Sequence, residues 1–154
     1  MTRDPSWPTL SASLYYEDAA AAIDFLCRAF GFQVRLKIDA EDGDVRHSEL
    51  TLDDALIMVG SARRPGAGRV SPRAIGGQST GALMLHVADV DAHCARARAA
   101  GAKILQEPTT TDYGADYWAD RSYEAQDPEG HRFYFSQRVR NHGEPPLPGV
   151  PQQH

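Results

Sequence analysis

The most constraining feature of this sequence is a pattern that occurs twice. The segment Leu85–Asp89 is similar to Leu14–Asp18, and the two aspartates lie 71 residues apart. The Ala-Gly-Ala of residues 100–102 repeats the Phe-Gly-Phe of residues 30–32 at a spacing of 70 residues. A repeat of this length indicates that one supersecondary unit is used twice.

The first copy has the pattern of a β-α-β-β-β unit. Apolar side chains recur at helical spacing over Ala19–Phe30, with Asp18 placed to cap the N-terminus and Gly31 to end the helix. Turn residues at 42–44 and 53–54 separate the later segments. We predict strands over Leu10–Tyr16, Phe32–Ile38, Val45–Leu52 and Ala55–Val59.

The second copy repeats this order. After a strand that includes Leu85, we predict a helix over Val90–Ala100, a strand over Lys103–Gln106 and a long loop over Glu107–Trp118. The last two strands form a hairpin over Arg121–Phe135, because Asp127-Pro128-Glu129-Gly130 is turn chemistry between alternating aromatic segments. At an offset of 76 residues, His47 corresponds to Tyr123 and Met58 to Tyr134.

These patterns predict the α+β class and a division into four parts. The first module covers 1–60 and the second 81–138. Between them, residues 61–80 combine Gly, Pro, Ser and Arg without periodicity, which predicts a flexible linker. Residues 139–154 are rich in proline and polar side chains, which predicts a tail.

Composition narrows the class of protein. A hydrophobic share of 42% is enough to form a core, and a net charge of −5 argues against a nucleic-acid partner. The two cysteines, Cys27 and Cys94, lie in helical patterns and are expected to be reduced thiols. With no apolar run of membrane-spanning length, we expect a cytoplasmic protein without a membrane partner.

The hairpin resembles the last hairpin of the vicinal oxygen chelate superfamily, which includes glyoxalase I, bleomycin-resistance proteins, fosfomycin-resistance enzymes and extradiol dioxygenases. The family pattern is Asp-Pro-(acidic)-Gly-x-x-(apolar)-Glu, with Tyr134 here at the Glu position. Further resemblance lies in Asp18 with Phe25-Leu26 and Phe30-Gly31-Phe32, and in Asp89-Val90-Asp91. It covers roughly Thr9–Gly60 and Gly81–Gln137.

The resemblance implies two tandem modules whose mixed sheets curl into a partly open cavity with the helices outside. It also implies a homodimer that pairs or swaps modules. The family's metal ligands fall on Ser11, Met58, Ala82 and Tyr134, where His or Gln, His, Glu and Glu are expected. Since these side chains are poor metal ligands or none at all, we expect no metal cofactor at these positions.

Strand alternation then predicts which side chains face the cavity. His47 and Glu49 could form a catalytic pair in which Glu49 orients the imidazole, or a solvated pair without a role. Arg121 could bind a substrate anion or only an acidic neighbour. The remaining predicted ligand contacts, each of which could instead be ordinary packing, are Tyr15, Met58, His86, Tyr113, Trp118, Tyr123 and Tyr134.

Three functions remain open from the sequence. The first is a bleomycin-resistance-like protein that binds a small aromatic or cationic molecule in a metal-independent cavity. The second is a lyase- or isomerase-type enzyme that uses His47 as general base, oriented by Glu49. The third is a metal-dependent variant whose site is relocated to His47, Glu49 and His86.

Overall fold

The computed structural model describes residues 4–153, which form two compact units. The first comprises residues 4–80 with Asp127–His131, and the second comprises Gly81–Gln126 with residues 132–153. The order of elements confirms two β-α-β-β-β modules of the α+β class. The elements are β1 Ala12–Tyr16, α1 Ala19–Phe30, β2 Gln33–Asp39, β3 Val45–Leu52, β4 Ala55–Ser61, a 3-10 helix Pro72–Ile75, β5 Ala82–His86, α2 Val90–Ala99, β6 Lys103–Asp112, β7 Ala119–Gln126 and β8 Arg132–Arg140.

The first unit is built on a four-stranded mixed sheet in the order β1-β4-β3-β2. Strand β1 runs parallel to β4, and the other neighbours are antiparallel. Helix α1 begins after Asp18, whose side chain accepts a hydrogen bond from the Ala21 amide, and ends at Gly31 with a φ of 84°. Its buried stripe, which includes Leu26 and Phe30, packs over one face of the sheet.

The second unit repeats this arrangement in the order β5-β8-β7-β6, with β5 parallel to β8. Helix α2 packs on one face, and aromatic side chains supply most of the core there. Tyr123, Phe133 and Phe135 are fully buried. Each helix therefore covers one face of its own sheet, as predicted. No helix within residues 4–153 has the length and apolar character needed to span a membrane.

Two predicted boundaries in the second module are wrong. Strand β6 continues to Asp112, so the first half of the predicted loop over Glu107–Trp118 is strand. Pro108 coincides with a register irregularity between Gln106 and Thr109, and three consecutive threonines then resume the pairing with β7. Strand β8 likewise extends to Arg140, where the predicted tail was to begin at 139.

Residues of the predicted linker and tail make defined contacts within their own units. In the linker, Ser71 caps the 3-10 helix and is fully buried. In the tail, Gln152 forms a parallel bridge with Asp112. Asp112 also binds the guanidinium of Arg140, with 2.6 Å between Oδ1 and Nη2, and both side chains are buried. The flexibility of these segments stays a prediction.

Candidate ligand-binding site

A cavity of about 120 Å³ lies on the first unit's sheet. It includes Ser13, Tyr15 and Met58, which alternate with residues buried on the helix side such as Tyr16. Ser13 pairs with Met58 across β1 and β4, and Tyr15 pairs with Gly60. The lining residues are Ser13, Tyr15, Val45, Arg46, His47, Ser48, Met58, Val59, Gly60, Ser61, Arg64 and Arg69.

Gly60 sets the position of the Tyr15 ring. A Cβ atom at residue 60 would lie 3.1 Å from Cε1 of Tyr15, closer than ordinary van der Waals contact. The missing side chain therefore lets the ring lie across the neighbouring strand. The other side of that ring is taken by Arg69, whose guanidinium carbon lies 4.6 Å from the ring centroid.

The predicted pair of His47 and Glu49 is present. Nε2 of His47 lies 3.0 Å from Oε1 of Glu49, and Oε2 of Glu49 lies 3.3 Å from Nε of Arg35. The Glu49 side chain is only 8% exposed, so both of its oxygens are held by cationic or polar partners. This geometry can fix the imidazole ring and leaves Nδ1 for a bound molecule. The catalytic role of the pair stays a prediction.

In the second unit, the predicted residue Tyr134 lies beside a glutamate that the sequence analysis missed. Glu124 pairs with Tyr134 across β7 and β8. Its carboxylate accepts a hydrogen bond from Nε of Arg132 at 2.5 Å, and its side chain is 8% exposed. A hydrogen bond to Glu124 raises the pKa of the Tyr134 phenol. Glu124, Arg132 and Tyr134 thus form a polar cluster on the sheet.

The predicted facing of Arg121 and Tyr123 is wrong, because both lie on the helix side of the second sheet. The Tyr123 ring stacks on Phe135 at 5.2 Å, and its hydroxyl is hydrogen-bonded to Nδ1 of His93 in α2 at 2.6 Å. Burial raises the pKa of Tyr123. Arg121 binds the Asp91 carboxylate with two nitrogens, at 2.7 and 2.8 Å. These contacts are structural.

A one-residue difference between the two hairpin loops explains the error. In the first module, Leu52 and Ala55 pair around the two residues Asp53 and Asp54. In the second, the Asp127 amide donates to the His131 carbonyl around three residues. With Met58 matched to Tyr134, the extra residue shifts the preceding strand by one position, so Glu49 corresponds to Glu124 and not to Ala125.

The other predicted contacts in the second unit lie at exposed positions. His86 is exposed on β5 opposite Ser136. Tyr113 and Trp118 form an aromatic cluster with Tyr117, and each lies 6.1 Å from Trp118 between ring centroids. The Trp118 indole donates to Asp120 and lies under the guanidinium of Arg138. Their role in binding stays a prediction.

The residues at the family's metal positions do not suit a metal ion. Ala82 has no donor atom, Met58 offers a thioether, and Ser11 offers a neutral hydroxyl. The raised pKa of Tyr134 further disfavours the phenolate that would be needed for ligation. Across residues 4–153, no three or more His, Cys, Asp or Glu side chains are grouped to hold a metal. Metal independence itself stays a prediction.

The turn Asp127–His131 anchors the first unit. Asp127 accepts hydrogen bonds from the hydroxyl of Tyr16 at 2.7 Å and from three backbone amides of its own turn. Glu129 accepts from the amides of Glu17 and Asp18 at 2.8 and 2.9 Å and from Ser71 Oγ at 2.5 Å. Burial alone would raise the pKa of Glu129, but these hydrogen bonds outweigh it and hold the pKa below its usual value.

Comparison with known proteins agrees with this fold. The family model of the Glyoxalase/Bleomycin resistance protein/Dioxygenase superfamily matches residues 10–135. An uncharacterized protein of Mycobacterium bovis is 33% identical over 135 residues, which cover 86% of this chain and 85% of that protein. An uncharacterized protein of Mycobacterium tuberculosis has the same identity and covers 76% of its own length.

Solved structures show the same architecture. TioX from Micromonospora sp. ML1 is 32% identical, with a TM-score of 0.67 over 86% of this chain and 100% of that one. A glyoxalase/bleomycin resistance protein/dioxygenase family enzyme from Burkholderia phytofirmans PsJN is 20% identical, with a TM-score of 0.60 over 84% and 97% of the two chains. The second likeness shows the fold alone.

Proposed function

Because the chain belongs to the glyoxalase/bleomycin resistance protein/dioxygenase superfamily, we propose that it binds a small molecule in a metal-independent cavity on the first unit's sheet. The observation that carries this proposal is the cavity between Tyr15, His47 and Met58, which joins an aromatic ring, an imidazole and a thioether. The unsuitable side chains at the family's metal positions support binding without a metal.

The size and lining of the cavity favour a small ring or one end of a larger molecule. Its volume of about 120 Å³ is below the roughly 300–1,000 Å³ of drug-sized sites. The Tyr15 ring and the flexible Met58 side chain offer apolar contact to a planar group. An aromatic ligand therefore agrees with the lining better than an aliphatic polar one.

A second candidate function is proton abstraction by His47. It is favoured by the 3.0 Å contact between His47 and the nearly buried Glu49. A carboxylate in this position fixes the imidazole tautomer, and the remaining ring nitrogen can then accept a proton from a bound substrate. This would be lyase- or isomerase-type chemistry. Turnover of a bound compound, lost in His47→Gln with binding retained, would distinguish it from binding alone.

We also propose that the protein is a homodimer, as the superfamily often is. Light scattering coupled to size-exclusion chromatography should give twice the chain mass of 16.9 kDa. A mass of one chain over the whole concentration range accessible to the instrument would contradict this proposal.

Binding is tested by NMR titration with three ring compounds of different charge: benzoate, benzyl alcohol and benzyltrimethylammonium. At least one should shift the resonances of Tyr15 and Met58 and saturate. His47→Ala should weaken that binding by more than about tenfold, or about 1.4 kcal/mol, with little effect on stability because His47 is half-exposed.

Leu50→Ala is the matched control on the same strand, because Leu50 is fully buried on the helix side. It should lower stability by about 2–5 kcal/mol and leave the affinity of the folded protein unchanged. If none of the three compounds binds, the proposed function is wrong. If Leu50→Ala reduces affinity and His47→Ala only stability, the site assignment is wrong.

A further inference from the structure

We propose that the cavity selects an anionic ligand, with Arg69 as the main contact to a carboxylate or phosphate group and Tyr15 as the contact to its apolar part. This inference rests on the proposed function, since it concerns the chemistry of the molecule bound there. It replaces the cationic ligand that the sequence analysis considered.

The charge of the lining is the first observation. Arg46, Arg64 and Arg69 line the cavity together with His47, and the lining contains no aspartate or glutamate. Within the part of the chain that the structure describes, none of the three arginines has a carboxylate at ion-pair distance. Unpaired guanidinium groups around one small cavity attract anions and repel cations.

Arg69 is the least compensated of these arginines that also has a fixed position. Asp44, which is hydrogen-bonded to Ser61, interacts with the charge of Arg64 and of its neighbour Arg63. No such interaction is found for Arg69, which is instead held against the Tyr15 ring at 4.6 Å. A guanidinium stacked by its face keeps its N–H donors at the edges, where they can bind two oxygens of one anion.

The backbone of the loop brings Arg69 to this position. Gly66 and Gly68 have φ values of 78° and 61°, in the left-handed region that favours glycine. These turns return the chain to the edge of the cavity after β4. The Tyr15 ring lies between Arg69 on one face and Gly60 on the other, so a ring-bearing anion can place its charge at the guanidinium and its ring near Met58.

Charge selection is tested with benzoate, phenyl phosphate, benzyl alcohol and benzyltrimethylammonium. Benzoate or phenyl phosphate should bind at least about tenfold more tightly than the quaternary ammonium compound, since the cation faces unpaired arginines. The stronger of the two anions also shows whether the site prefers a carboxylate or a phosphate. Arg69→Gln should reduce anion affinity by about tenfold or more, and Arg69→Lys by less, because lysine keeps the charge but not the planar fork.

Arg63→Gln is the matched control. It makes the same charge change in the same loop, but Arg63 does not line this cavity. It should change anion affinity by less than about twofold, as expected for a partly screened surface charge. Circular dichroism and melting temperature show whether each variant is folded.

The outcomes separate this inference from the proposed function. If the neutral or cationic compound binds as tightly as the anions, the anion preference is overturned and small-molecule binding stands. If Arg63→Gln weakens anion binding as much as Arg69→Gln, the effect comes from the general field of the protein and Arg69 is not the contact. If none of the four compounds binds, both proposals fail.

Discussion

Replacing Glu129 by Gln should destabilise the first unit although it changes only one atom and the charge. The helix α1 has alanine at position 21, where a capping glutamate would reach back to the amide of Asp18. Glu129, which comes 111 residues later in the sequence, accepts that hydrogen bond instead. Its carboxylate also binds the Glu17 amide and Ser71, and its side chain is 5% exposed.

The magnitude follows from these three hydrogen bonds. A glutamine can keep its oxygen toward Glu17 and Ser71, but its NH₂ then faces the amide of Asp18, and two donors meet. The unsatisfied amide costs about 1–3 kcal/mol. The two remaining hydrogen bonds lose their charge assistance, which costs roughly 1 kcal/mol more. We expect a total loss of about 2–4 kcal/mol and, at about 2–4 °C per kcal/mol for a chain of this size, a Tm lower by roughly 4–16 °C.

The pH dependence of stability tests the same reasoning independently. The pKa of Glu129 is lowered in the folded protein relative to its usual value of 4.5. A group of this kind contributes its full stability above that value and loses it as the pH falls through the lower folded pKa. The difference in Tm between the native protein and Glu129→Gln should therefore be largest at neutral pH and shrink between about pH 5 and pH 3.

Glu17→Gln is the control, since it makes the same chemical change at a side chain that is 41% exposed and 3.7 Å from Arg73. It should cost less than about 1 kcal/mol. If Glu129→Gln melts within 2 °C of Glu17→Gln, or if its deficit does not depend on pH, the three hydrogen bonds do not carry the stability assigned to them.

Three further predictions follow from the site. Tyr123→Phe should lower stability by about 1 kcal/mol through loss of the His93 hydrogen bond and leave benzoate affinity unchanged, as measured by urea unfolding and titration; a loss of affinity would return Tyr123 to the cavity. Gly60→Ala should weaken benzoate binding severalfold because its Cβ displaces the Tyr15 ring, and unchanged affinity would mean that the ring position does not matter. Elemental analysis of protein purified without chelators should find well below one zinc, nickel or iron per chain, and a stoichiometric metal would contradict metal-independent binding.

The repeat predicted the modules because its signals are local. Asp18 and Gly31 act on the helix between them, and the apolar stripe of α1 states which face is buried. Such signals need no knowledge of the rest of the chain. They were sufficient for the element order of both modules and for the His47–Glu49 pair, which lies within a single strand.

Facing across the last hairpin could not be predicted in the same way. It depends on the number of residues in the hairpin loop, and the repeat was aligned without allowing for one more residue in the second copy. Strand alternation turns that single residue into a reversal of the whole strand. Tyr123 was therefore placed in the cavity, and Glu124 was overlooked although its own position was correct in the sequence.

The arginines of the site were missed for another reason. Arg64 and Arg69 lie in a segment without periodicity, where composition predicts only a linker. Their proximity to Tyr15 depends on how the glycines at 66 and 68 direct the backbone. No pattern of spacing in the sequence records that path, so these contacts required coordinates.

The position of Glu129 in the sequence also bears on how the protein is synthesised. All five main elements of the first unit precede residue 62, yet the acceptor for the amides of Glu17 and Asp18 lies at residue 129. A nascent chain that has left the ribosome as far as residue 80 therefore carries a complete sheet and helix with an open N-terminal junction. Contacts of such large sequence separation form slowly. The first unit is complete only once His131 has emerged, so the part of the protein that is made first is finished almost last.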